Sequence, residues 1–152
     1  MVMKKSLEDW LNDKRIEKHL TSPREIADLL HLSDRDLEKV KIVELGPDWR
    51  LSIAHNAAIQ TAKAALAAAG YRARKEGQHY LLVQSLAFTI KTDPMIIKRL
   101  DKFRRKRNIS DYERAGLVTE KEAEEMIALA KQLRCDVEQW LRAHHPELTS
   151  EI

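Results

Sequence analysis

Phe103-Arg104-Arg105-Lys106-Arg107-Asn108-Ile109-Ser110-Asp111-Tyr112-Glu113 is the stretch from which the rest of the chain is best read. Between Lys98 and Arg107 stand seven Lys or Arg and one Asp, a local charge of +6 in a chain whose formal total is +3. The remainder is therefore slightly acidic, and the basic character sits in one place. Ile96, Leu100 and Phe103 step by four and three, as the buried stripe of a helix does. Arg107 is next on that stripe. An arginine at a core position is costly unless it is paired or faces a cleft, so Arg107 marks a candidate site. Ser110-Asp111-Tyr112-Glu113 reads as a capping box and predicts a break in the helix near 108–110.

Working outward, the punctuation is helical. Thr92-Asp93-Pro94 starts the basic helix, and Gly116 ends the piece that follows the break. Thr119 and Glu122 cap a last helix reaching His144, with Ala123, Met126, Ala130, Leu133, Val137 and Trp140 as a coiled-coil-like seam. Toward the N-terminus, a helix over about 78–90 has Leu82, Leu86 and Ile90 on one face. Asp48 is a candidate cap for an Ala-rich helix over about 49–69, closed by Gly70, whose small side chains let neighbours approach closely. Ser22-Pro23-Arg24-Glu25 is a strong helix start. Ser33-Asp34-Arg35-Asp36 allows a second cap, hence two short helices or one bent one before Gly46-Pro47. Ser6 and Asp9 open a first helix over about 7–19. No segment alternates with period two, so no strand is expected. The expected fold is all-α: an antiparallel up-and-down four-helix bundle over 47–145, an N-terminal helical extension over 1–46 packing on it, and a frayed C-terminus over 146–152.

Composition agrees. The 152 residues suit one domain of ordinary size, with 43% hydrophobic and 34% charged residues, four Gly and four Pro. That is too little Gly and Pro for a many-turned β architecture. One cysteine, Cys135, excludes an internal disulfide or thiolate metal site. The N-terminal MVMKKSLEDW lacks an apolar run, and no stretch approaches the roughly 20 apolar residues of a bilayer span. A cytoplasmic setting and no membrane partner are the default expectations. There is no Gly-rich phosphate loop, nucleophile elbow or zinc motif. No cofactor and no metal are implied.

The basic helix, the tyrosine shortly after it and the final amphipathic helix resemble the HEPN domains (higher eukaryote and prokaryote nucleotide-binding). The residues that carry the resemblance are Arg104 to Glu113, then Val118 to Glu125. Tyr71 to Tyr80 also looks like the link between the first two core helices of bacterial members. The resemblance covers about 48–143. It implies a helical bundle whose site forms in a dimer cleft, and an association with RNA. Many members are metal-independent endoribonucleases, often toxins. They use an arginine, a polar neighbour and a histidine a few residues further on. Some pair with a small nucleotidyltransferase encoded nearby. Carried over, Arg107 matches the arginine and Asn108 the polar neighbour. The histidine is absent. Tyr112 stands at its shortest spacing, and a tyrosine of pKa about 10 is a poor proton acceptor at neutral pH beside a histidine of about 6.5.

The candidate catalytic set is thus Arg107, Asn108 and Tyr112. Lys102, Arg104, Arg105, Lys106 and His79 are the candidate nucleic-acid contacts. Each has a plainer alternative. Arg107 can be a structural arginine bonded to Asp111 or to helix-end carbonyls. Asn108 suits a helix C-cap, and Tyr112 a half-buried anchor. The basic run can be a solvated face with favourable charge at a helix C-terminus. His55 and His79 fall on separate helices, and His79 is the first substitute for the missing base. Trp10, Trp49 and Trp140 read as core or interface anchors. The leading expectation is a homodimeric RNA- or nucleotide-associated protein, a toxin–antitoxin or RNA-processing component with weak or lost endoribonuclease activity. The alternative is a non-enzymatic adaptor or regulatory partner of a nucleotidyltransferase.

Overall fold

The computed structural model describes residues 6–75, 78–112 and 117–152, with 108–112 described by backbone alone. Helices dominate. In chain order they are α1 (Leu7–Asn12), α2 (Pro23–Lys39), α3 (Pro47–Ala68), α4 (His79–Ser85), α5 (Pro94–Tyr112) and α6 (Glu120–His144). Two short strands, β1 (Ile16–Lys18) and β2 (Tyr71–Ala73), pair antiparallel with Ile16 opposite Ala73. Single 3₁₀ turns cover Val43–Leu45 and Pro146–Leu148. Among the described residues, no helix is long and apolar enough to cross a membrane.

α3 is the axis of the molecule. Leu51, Ala54, Ala57, Ala58, Ala62 and Ala65 are almost wholly buried, and burial extends around the helix. A helix that is apolar all round must be enclosed. α2 and α6 flank it over their length, while α4 and α5 close the remaining side. The alanines allow this because their short side chains let four neighbours come close. Polar ties fix the register. Thr61 Oγ1 donates to Ser33 Oγ at 2.9 Å, joining α3 to α2. Buried Arg50 on α3 donates to the Val40 carbonyl at 2.7 Å and reaches Glu124 of α6 at 2.9 Å. Arg134 of α6 holds Asp34 of α2 through two hydrogen bonds of 2.8 and 3.1 Å.

Three helix starts agree with the sequence. Ser6, Ser22 and Thr119 each accept a backbone N–H of the first turn, and Thr119 with Glu122 completes a capping box. Several expectations need correction, the absence of strands among them, since β1 and β2 pair. The first helix stops at Asn12, because Lys14 turns into the left-handed region (φ 61°) and Ile16 enters the core as strand β1. Of the two readings open at Ser33, two short helices or one, a single helix forms: Ser33 is buried inside an unbroken α2, and its hydroxyl accepts from Thr61. α3 begins at Pro47 behind Gly46 (φ 85°), so Asp48 lies within its first turn. α4 ends at Ser85, and the chain then turns through 86–92, where the Thr92 N–H closes on the Leu86 carbonyl at 3.1 Å. α5 continues through 108–110 to Tyr112. Gly116 lies outside the described residues. The C-terminal residues, expected to fray, instead form a 3₁₀ turn, with Leu148 and Ile152 packed on the core.

Candidate functional site

α3, α4 and α5 converge at one place. His55 comes from the middle of α3, His79 opens α4, and Arg104 and Arg107 lie on α5. Leu100 and Phe103 anchor α5 in the core, both almost wholly buried. That stripe puts Arg107 one turn beyond Phe103, where it is half-buried. The side chains of Asn108 and Tyr112 lie outside the described residues, although both positions are on the α5 backbone.

The histidines, separated by a whole helical connection in sequence, meet in space. Their ring centroids are 6.3 Å apart. His55 is fully buried, and neither ring nitrogen has a hydrogen bond of good geometry among the described residues. Burial is the largest influence on its pKa, followed by the positive charge of Arg107 and by His79. The backbone of Leu100 works the other way without prevailing. The result is a pKa of about 3. His79 is half-buried and shifted in the same direction, by burial first and then by Arg107, Arg104 and Lys63. Both imidazoles are therefore neutral at pH 7. A neutral imidazole beside guanidinium groups can accept a proton while the guanidinium holds an anion.

The rest of the basic run is less available than its charge suggests. Arg104 donates to Asp101 at 2.7 Å and lies over the Tyr80 ring, 5.4 Å from its centroid. Asp101 also faces Arg105 at 3.6 Å. Lys106 donates to Glu122 of α6 at 2.6 Å, and Arg99 pairs with Glu125. Burial pushes the Glu122 carboxyl up, but its bonds to Lys106 and Thr119 hold it below the usual range. Lys102 and Arg105 remain exposed, with the Lys102 ammonium 5.7 Å from the Phe103 ring centre. Of the expected phosphate contacts, His79 and Arg104 thus share the α4–α5 junction, where the charge of Arg107 also acts on His79. Lys106 is turned toward α6.

His79 was legible in the sequence as a candidate base, whereas the part played by His55, Tyr80 or Lys63 was not. His55 sits in an alanine-rich stretch where a buried histidine leaves no periodic signal. Tyr80 is one residue from His79, and its pairing with Arg104 depends on how α4 packs on α5.

Comparison with curated proteins and with solved structures gives no match. The HEPN domain family matches residues 28–140. The matched span reaches back into α2, beyond the start at 48 that the resemblance suggested, and it contains His55, His79 and all of α5. Over well more than half of its length, therefore, the chain belongs to the HEPN domain family.

Proposed function

We propose that this protein binds single-stranded RNA at the convergence of α3, α4 and α5, with weak or lost endoribonuclease activity. Family membership gives the general association with RNA and nucleotides. One observation carries the finer reading: Arg104 of α5 lies over the ring of Tyr80, the residue next to His79, so that the basic run and the imidazole share the α4–α5 junction. In this reading Arg107 holds a phosphate, for which a guanidinium fork is well shaped. Tyr112 replaces the family's histidine, so the usual base is missing. Of the two histidines that meet at this junction, His79 is the one not fully buried, and residual cleavage runs through it. The ribose 2′-hydroxyl attacks the adjacent phosphorus, its proton passes to His79, and the bond to the 5′-oxygen breaks. Water reprotonates the leaving oxygen. Arg107 stabilises the added charge on the phosphoryl oxygens.

Metal-free cleavage of a single-stranded RNA tests this. The natural protein should bind RNA and cut it slowly at most. His79→Ala and Arg107→Ala should each remove the residual cutting, and Tyr112→His should raise it. Fast cleavage that survives His79→Ala would overturn the assignment of His79.

The second reading is a non-enzymatic adaptor or regulatory partner of a small nucleotidyltransferase. The internal pairing of Arg99, Arg104 and Lys106 with acidic neighbours favours it, since those cations already have partners. A nucleotidyltransferase gene beside this one, with co-purification of the two products, would support a toxin–antitoxin pair.

A further inference from the structure

His79 faces a second feature besides the α5 arginines. Between the start of α2, the second half of α3, β2 and the head of α4 lies a cavity of about 500 Å³. That is within the usual range for small-ligand sites, roughly 300–1,000 Å³. Its lining is divided. Leu29, Ile59, Leu66 and Leu82 form an apolar wall, and Tyr71 adds a ring. Lys63, Arg72, Lys75 and His79 supply the polar, basic side. Arg72 is shared with Glu17 of β1 at 3.2 Å, which leaves Lys63 and Lys75 as the principal cations. Glu25 is the cavity's carboxylate. Its Oε1 accepts from Thr21 Oγ1 at 2.6 Å and lies 2.7 Å from His19 Nε2. Burial pushes this carboxyl up, yet the bonds from Thr21 and His19 hold it below the usual range, so it is a fixed, ionised acceptor.

An apolar wall, two ammonium groups and one anchored acceptor in the same cavity fit a ligand with a flat, weakly polar body, an anionic end and a donor. We propose that the cavity seats one nucleoside monophosphate unit. Its base lies on the leucine–isoleucine wall, its phosphate meets Lys63 and Lys75, and Glu25 accepts a base or ribose donor. The inference deepens the RNA reading through one shared residue, His79, which lines this cavity and packs beside His55 at the α3–α4 junction. A free mononucleotide and a nucleotide of an RNA strand passing Arg107 present the same chemistry.

The experiment is titration of the natural protein with adenosine monophosphate, with inorganic phosphate and with a short single-stranded RNA, followed by calorimetry. Adenosine monophosphate should bind at least tenfold more tightly than phosphate. Lys63→Glu, at an exposed position of α3, should weaken it at least tenfold with thermal unfolding unchanged. Should that variant unfold, Lys75→Glu in the link before α4 gives the same test. Competition between the mononucleotide and RNA would identify a strand nucleotide as the occupant. Independent binding would identify a free mononucleotide, and either supports the cavity. Phosphate binding as tightly as the mononucleotide overturns the seating of a base. Mononucleotide binding that ignores both substitutions overturns the location. RNA binding without any mononucleotide binding sinks this inference and leaves the RNA reading standing. Mononucleotide binding without RNA binding does the reverse.

Discussion

His55 is the clearest case of a single residue whose setting has a measurable cost. In the unfolded chain its pKa is about 6.5, whereas in the fold burial, then Arg107 and His79, lower it to about 3. The unfolded state therefore binds a proton more readily between those values. Stability is fully present above pH 6.5 and is lost as pH falls toward 3. At pH 5 the loss from this group is about 2 kcal/mol. His79, also lowered, adds a share in the upper part of the same window. Glu25, Glu122 and Glu138 have lowered pKa values too, but they act below their ordinary 4.5. Urea denaturation between pH 7 and pH 5 should show a falling midpoint. His55→Leu, close in volume, should remove most of that slope. An equal slope in the variant would mean that the buried imidazole is not the acid-labile group.

At the scale of the element, α5 combines two demands. Leu100 and Phe103 tie one face into the core, and the remaining faces carry the basic run. Asp101, Glu122 and Glu125 take up part of that charge. The competition between these pairs and RNA phosphates is measurable. Each phosphate contact by a single strand adds about 0.7 to the slope of log affinity against log salt. Replacing both Arg104 and Arg105 with Ala should therefore reduce the slope by about 1.4. Unchanged salt dependence would place both arginines in internal pairs alone. The same helix shows the limit of reading local signals. Ser110-Asp111-Tyr112-Glu113 has the letters of a helix start, yet the backbone is already helical from Ser110 to Tyr112. A capping box needs its first residue in an extended conformation. A helix already propagating from Pro94 gains a backbone bond with each residue added and has no cause to stop there.

At the scale of the whole molecule, one patch of apolar surface is conspicuous. Trp49 is 66% exposed, with Val43 at 60% and Ile42 at 49% nearby in the chain. Trp10, in contrast, is buried edge-on against Phe88, 5.0 Å away. The first turns of α6 connect this patch to the α5 site. Glu120 and Glu124 hold Arg50, beside Trp49, and Glu122 holds Lys106, beside Arg107. The exposed tryptophan and Arg107 thus belong to the same end of the fold. We propose a homodimer through that end, with the Arg107 regions facing a shared groove. Light scattering at micromolar concentration should report twice the chain mass, and Trp49→Ala should shift the protein toward monomer. A monomer at all concentrations would remove the shared groove.

Sequence alone determined what local chemistry controls. The caps at Ser6, Ser22 and Thr119, the alanine-rich α3, the apolar seam of α6 and the concentration of charge on α5 were all legible, because each depends on residues within a turn or two. The short motif of α5 and its neighbours was enough to suggest the family. The β1–β2 pair was not legible. Three-residue strands carry almost no alternation, and their partners are more than fifty positions apart, so only the closure of the chain around α3 makes them strands. The same holds for the site. Arg107 announced itself by standing on a core stripe. The histidines beside it, the pairing of the basic run and the cavity at Lys63 arise where α3, α4 and α5 meet, and that meeting is set by the packing of small side chains over the whole core.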